Sequence, residues 1–338
     1  MARLPFLALA LVSLSLACSS KDGPPDPDVG TGDGGIDAPV PDADMPDAPT
    51  PDVPVDVGPD TFDAGPLTGD SYLFVVDVLD LGVPDPLDDT IVPGFDLDDR
   101  VSERSDATTC NKEDFTSPPP DSEEGVDNVL GPALAEGESE FMIRAALDNN
   151  VATGRILLML EVRGVDDLVD DDRVVVDVLF GQLPAGVLAP VLEGDGSYVP
   201  GQTFDIDSRS LLADRMTARV SLPGVIVGGR VMAGPGGLNL TVPFDDDTIE
   251  LQLDRVEARF DITEDTISNG VMGGSLDVDD TAAELGGVGG FDEDLVRFVL
   301  RGAADLDRVG SFCTAASIAL VFEGVDTVKG EVVDPPTP

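Results

Sequence analysis

The 338-residue sequence predicts a mainly β fold, an antiparallel two-sheet sandwich with two or three short helices, and three observations carry that prediction. Apolar and polar residues alternate with period two in one segment after another from Ser71 onward. Gly, Pro, Asn and Asp clusters separate those segments, and stretches of helical period are few. A large, partly open meander or barrel is the alternative.

The elements follow in chain order. "SYLFVVDVLDL" (71–81), "RILLMLEVR" (155–163) and "RVVVDVLF" (173–180) read as strands apolar enough on both faces to be central, with "GVDDLVDDD" as the hairpin connection between the last two. "MTARVSL" (216–222) puts Met216, Ala218, Val220 and Leu222 on one side, and similar alternation recurs in "GLNLTV" (237–242), "TIELQL" (248–253), "VEARFDI" (256–262) and "SIALVFEGV" (317–325). Turns are expected at "GPGG" (234–237), at "PFDDD" (243–247) and at Asn269-Gly270, a two-residue hairpin signal. Helices are expected in "SEFMIRAALDNN", with Ser139 as N-cap and Phe141, Ile143, Ala146 and Leu147 on one face, and in "EDLVRFVLRGA" (293–303).

Residues 1–17 read as a signal peptide. Arg3 supplies the positive start, and the apolar run from Leu4 to Leu16 falls short of the roughly 20 residues that span a bilayer. Residues 18–70 read as a tether. From position 21 it holds thirteen Asp and eleven Pro, with Pro-Asp at Pro41, Pro46 and Pro51, and one aromatic, Phe62. Such a segment buries too little apolar surface to offset its ordering entropy, and its like charges extend it. The globular domain is expected over 71–333, with 334–338 as a disordered tail.

Formal charge is −48, from 67 acidic and 19 basic residues. A surface this acidic repels phosphate backbones, which excludes nucleic acid as a partner and leaves divalent cations and basic proteins. The absence of His excludes Ser-His-Asp and Cys-His nucleophile pairs and His-ligated zinc. No phosphate loop, Gly-x-Ser-x-Gly elbow or aspartic-protease motif is present, so the chain reads as a non-enzyme.

The best ligand cluster is "GFDLDDRVSERSD" followed by "EEGVDN". Asp96, Asp98, Asp99 and Asp127 are the candidate ligands of a calcium ion, a hard cation that takes about 6 to 8 oxygens, with Glu124 and Asn128 nearby. It is not an EF-hand: Arg100 stands at the third ligand position, the central Gly is missing and Ala107 stands at position twelve. The competing reading is a set of solvated turn acids, with Arg100 pairing to them. No other cofactor is expected.

Leu14-Ser15-Leu16-Ala17-Cys18 resembles the lipobox of bacterial lipoproteins, although Ser15 stands where the family usually has Leu and Leu14 lies one position further back. The resemblance implies a diacylglyceryl group on Cys18 and cleavage before it. Ser19, in place of the Asp that holds such proteins at the inner membrane, implies delivery to the outer membrane or cell surface. Together the lipobox, the Asp/Pro-rich tether and the "GFDLDD…C…DFTSP…GVDN" block resemble a group of bacterial cell-surface lipoproteins of high-GC genomes, in line with sixteen Arg against three Lys. That resemblance carries an address and no chemistry. In an exported chain the two remaining cysteines, Cys110 and Cys313, argue for a disulfide.

The expected function is therefore that of an outer-membrane-anchored lipoprotein displaying a structural or binding β domain. Its expected partners are the membrane, through the lipid anchor, and an envelope or extracellular partner. Two alternatives remain: an envelope carrier of lipid or another apolar ligand, and a carboxylate- or metal-dependent hydrolase.

Overall fold

The computed structural model describes residues 67–105, 110–135, 138–244, 247–286 and 292–335. The signal segment, Cys18 and most of the tether lie outside the described residues. In chain order the elements are β1 (Asp70–Leu81), β2 (Phe115–Thr116), β3 (Glu124–Val126), α1 (Leu130–Leu134), α2 (Glu138–Ala152), β4 (Leu158–Val165), β5 (Asp171–Gln182), β6 (Gln202–Asp207), β7 (Val220–Val227), β8 (Arg230–Phe244), β9 (Asp247–Ile262), β10 (Thr266–Asp277), α3 (Val278–Gly286), α4 (Glu293–Ala303), β11 (Leu306–Val309) and β12 (Phe312–Val333).

The mainly β, antiparallel class holds, and the barrel is the form it takes instead of the two-sheet sandwich. Strands β1, β4, β5, β7, β8, β9, β10 and β12 pair antiparallel in that order, and β12 returns to β1 through Phe74↔Asp326 to Leu81↔Leu320. Sandwich and barrel share one inward-outward alternation, so the deciding event is the pairing of the first strand with the last. Strand β6 lies outside this ring. It pairs antiparallel with β5 at Gly181↔Ile206 and parallel with β12 from Thr327↔Gln202 to Val333↔Asp207.

Eight strands enclose a space that side chains can fill. Here they fill it, with Phe74, Leu160, Val178 and Val220 side by side across β1, β4, β5 and β7. Six residues along β7, Ile226 starts a second row with Val231 and Phe260 across β7, β8 and β9, and all seven belong to one buried cluster. The Phe260 and Phe322 rings meet at 5.8 Å between centroids. Glycines make room for them: a Cβ on Gly270 would lie 2.5 Å from the Phe322 ring, and one on Gly236 would lie 2.4 Å from Leu222. The outer face of β1, β4 and β5 is apolar too, because Val75, Met159 and Leu179 sit under the cluster that includes Val151 of α2, Tyr198 and Phe204.

That packing explains where the structure departs from the local signals. Asn269-Gly270 lies inside β10 as a register shift, with Asn269 at φ 50°, and the β9–β10 turn falls at 263–265, where Thr263 N donates to Thr266 O. "GPGG" is an irregularity within β8, around a cis Gly234-Pro235 bond, and not a turn. "TIELQL" and "VEARFDI" form the single strand β9, and β7 starts at Val220, leaving Met216 exposed. Helix α2 begins at Glu138, so Ser139 lies within it, and Phe141 faces solvent. The Asp277–Asp280 run opens α3: Asp277 Oδ1 accepts from the backbone N–H groups of Asp279 and Asp280, 2.8 and 2.9 Å away.

Candidate metal centre in the outer layer

Residues 82–105 and 110–128 form a layer over the outer face of β10 and β12. Phe95 and Leu97 pack on Val271, Leu306, Ala315 and Ala319 in a small separate cluster. Gly273 permits this approach, since a Cβ there would lie 2.8 Å from the Phe95 ring. The layer is fixed at three places. The disulfide between Cys110 and Cys313 ties it to the start of β12, with Cα atoms 5.9 Å apart. Asn128, fully buried, donates to Gly82 O and Pro93 O and accepts from Gly131 N and Ala319 N, at 2.7 to 3.1 Å. Arg259, 7% exposed on β9, reaches Glu123 at 3.0 Å, Asp121 at 3.1 Å and Gly94 O at 3.0 Å, with its guanidinium 4.7 Å from the Phe95 ring centre. Asp121 also pairs with Arg230 at 2.9 Å.

These fixings gather three of the four expected ligands. One carboxylate oxygen each from Asp96, Asp98 and Asp127 lie within 4.8 Å of one another. Asp127 N donates to Phe95 O, a bridge that brings the two halves of the motif together, and Asp127 Oδ2 accepts from Leu97 N at 2.8 Å. Asp96 Oδ1 accepts from Arg100 N at 3.0 Å, so Arg100 serves these acids with its backbone, while its side chain is exposed. Asp98 Oδ1 is buried without a hydrogen-bond partner. Gly125, at φ +85°, faces the cluster at close range: a Cβ there would lie 2.9 Å from Asp96 Oδ2 and 2.6 Å from Arg100 O. Asp99, the fourth expected ligand, is exposed and stands outside the triad, as does Glu124.

Burial and mutual repulsion dominate the electrostatics. Asp127 is pushed up to about 9, first by burial and then by the charge of Asp305. Burial likewise raises Asp114 to about 6, against hydrogen bonds from Ser102, and Asp305 to about 6, against those from Ser317. Asp96 and Asp98 are raised by burial as well, with Arg100 and Arg255 opposing the rise at Asp98. Full ionisation of the cluster would thus place more negative charge there than its neighbours offset, the condition a divalent cation relieves. Oxygens at this spacing fit around one calcium ion at its usual distances of about 2.3 to 2.6 Å, with backbone carbonyls or water completing the shell.

Sequence reasoning missed Asp305 and Asp114. Asp305 comes from the far end of the chain, where its Oδ1 accepts from Ser317 N at 2.9 Å and its Oδ2 from Ser317 Oγ. No spacing rule links it to Asp127. Asp114 caps the layer from within, accepting from Ser102 N at 2.5 Å. Among the described residues no helix is long and apolar enough to cross a membrane.

The fold and the site define an eight-stranded antiparallel barrel with a carboxylate cluster in a disulfide-pinned outer layer. No protein-family model, curated protein or solved structure matches the chain.

Proposed function

We infer that the chain is a lipid-anchored envelope protein whose barrel is a calcium-stabilised structural or binding domain. The observation that carries the cation role is the convergence of Asp96, Asp98 and Asp127 oxygens within 4.8 Å, one Asp98 oxygen being buried with no donor. The envelope address rests on the lipobox-like residues ending at Cys18 and on the Asp/Pro-rich tether. Acylation of Cys18 would retain the protein at the outer membrane, each buried methylene contributing about 0.8 kcal/mol. The side chains that fill the barrel favour this reading over carriage of an apolar ligand inside the ring.

The test is thermal unfolding of the full-length protein in calcium, against sodium chloride of equal ionic strength. A ligand that binds only the folded state at about one hundred times its Kd stabilises by about 2.7 kcal/mol. In a domain of this size that corresponds to roughly 5 to 10 °C. Asp96→Asn with Asp98→Asn should abolish the calcium increment. Equal melting temperatures in calcium and the salt control would remove the cation role. Intact-mass analysis of natively expressed protein tests the anchor separately, and an unmodified terminus would overturn it.

A further inference from the structure

The connection between β5 and β6 turns a group of aliphatic side chains outward. From Gly181 to Leu192, "GQLPAGVLAPVL", no residue is charged, in a chain where 25% are. Leu188 is 93% exposed and Val191 60%, and Val187 and Leu192 are exposed beside them. The tip stands clear of the barrel: apart from its chain neighbours, no atom lies within 4 Å of the position a Cβ on Gly186 would take.

The base of the loop is held in one shape. Val191 N donates to Gln202 Oε1 at 2.7 Å, and Gln202 Nε2 donates to the carbonyls of Val191 and Val199, both at 2.9 Å. Leu192 bridges to the buried Tyr198, whose N–H donates to Asp77 Oδ2 at 3.0 Å, and Val187 N closes the tip on Pro184 O at 2.9 Å. The four aliphatic side chains are therefore presented together, and little ordering remains to be done when they meet a partner.

The chemistry of this projection selects that partner. It carries no aromatic ring and no charge, whereas protein contacts concentrate their affinity in Trp, Tyr and Arg, with Leu and Val under-represented. A projecting aliphatic loop suits a fluid apolar phase, into which it sinks without a matching pocket. Glu193 and Asp195, exposed next to it, disfavour an anionic lipid surface and leave a zwitterionic one. The chain ahead of the barrel permits the approach. Forty-eight residues lie between Cys18 and Leu67, and a flexible chain of that length has a mean span of about 35 to 40 Å.

We propose that the 183–192 loop is a second membrane contact, lodging Val187, Leu188, Val191 and Leu192 at the acyl boundary of a zwitterionic bilayer. The inference rests on the lipid-anchored reading, under which the acyl group keeps the loop near lipid at high effective concentration.

The chain has no Trp, so Leu188→Trp in the full-length protein reports on this loop alone. With phosphatidylcholine vesicles at millimolar lipid its emission should move to shorter wavelength and be quenched by dibrominated phosphatidylcholine. The control is Phe312→Trp, equally exposed but fifteen residues along β12 from the Thr327↔Gln202 pair, and it should show neither change. Adding Val187→Asp to Leu188→Trp should raise the lipid concentration needed for half-maximal quenching at least about tenfold, the loss of one buried aliphatic side chain. Both positions are exposed, so neither change disturbs the packed fold. No quenching at position 188, equal quenching at 188 and 312, or indifference to Val187→Asp would each overturn the proposal. Intact-mass analysis keeps the two readings apart: an unmodified terminus removes the anchor alone, and an acylated chain with no quenching at position 188 removes the loop contact alone.

Discussion

Gly125 and Asn128 show how much of the outer layer rests on single residues. Any Cβ at Gly125 meets Arg100 O and the Asp96 carboxylate, and φ +85° is strained for an L-residue. Gly125→Ala should cost about 1 to 3 kcal/mol and reduce the calcium increment, as read from urea unfolding with and without the ion. Asn128→Ala leaves two carbonyls and two N–H groups buried without partners, so a loss of at least about 2 kcal/mol is expected, seen as a lower urea midpoint at unchanged slope. The acids themselves set a pH dependence. Asp114 and Asp305 at about 6, Glu257 at about 7 and Asp127 at about 9 all titrate above unfolded carboxyls, which lie near pH 4. The folded state therefore binds more protons between those limits, and the stability these groups contribute is complete below about pH 4 and is lost as pH rises through each folded value. Metal-free protein should melt progressively lower from pH 5 to pH 9, while the calcium increment grows over the same range, because the ion favours the ionised forms. A calcium increment that shrinks with rising pH would contradict this.

At the scale of elements, the Cys110–Cys313 bond joins positions 203 residues apart. Closing so long a loop contributes about 5 kcal/mol in the chain-entropy model, so reduction should lower stability by an amount of that order. Amide exchange should rise first in the outer layer, over 82–105 and 110–128, with the ring strands remaining protected. A uniform rise across the barrel would show that the layer and ring unfold as one. Strands β1 and β5 and helix α4 were legible because their own periodicity decides them: α4 buries Val296, Val299, Leu300 and Ala303 on one stripe, and Asp292 Oδ1 accepts from Leu295 N at its start. Asn269-Gly270 was misleading for a physical reason. Its glycine is required under the Phe322 ring, a demand set by a strand more than fifty residues away. The acid pattern of Asp96, Asp98 and Asp127 was visible because those residues lie near one another in sequence. Asp305 was hidden because only the β11–β12 pairing and the packing of Phe95 bring it close.

For the whole molecule, the excess of 67 acids over 19 bases makes self-repulsion a general destabilising force. Raising sodium chloride from low concentration to several tenths molar should raise the melting temperature by screening, before any specific effect of calcium. A melting temperature indifferent to salt would show that the charges are spaced too widely to matter. Ring closure is the global property that period two left open, since Leu81↔Leu320 and its neighbours join opposite ends of the domain. That closure also bears on association between copies of the chain. Each of the eight ring strands has a hydrogen-bonded neighbour on both sides, and the flanks left open in the ring lie on the far half of the β8–β9 pair, where Leu238–Phe244 and Asp247–Gln252 pair as strands only with each other. Templated growth of the kind to which open sheets are prone would be confined to that one two-stranded projection.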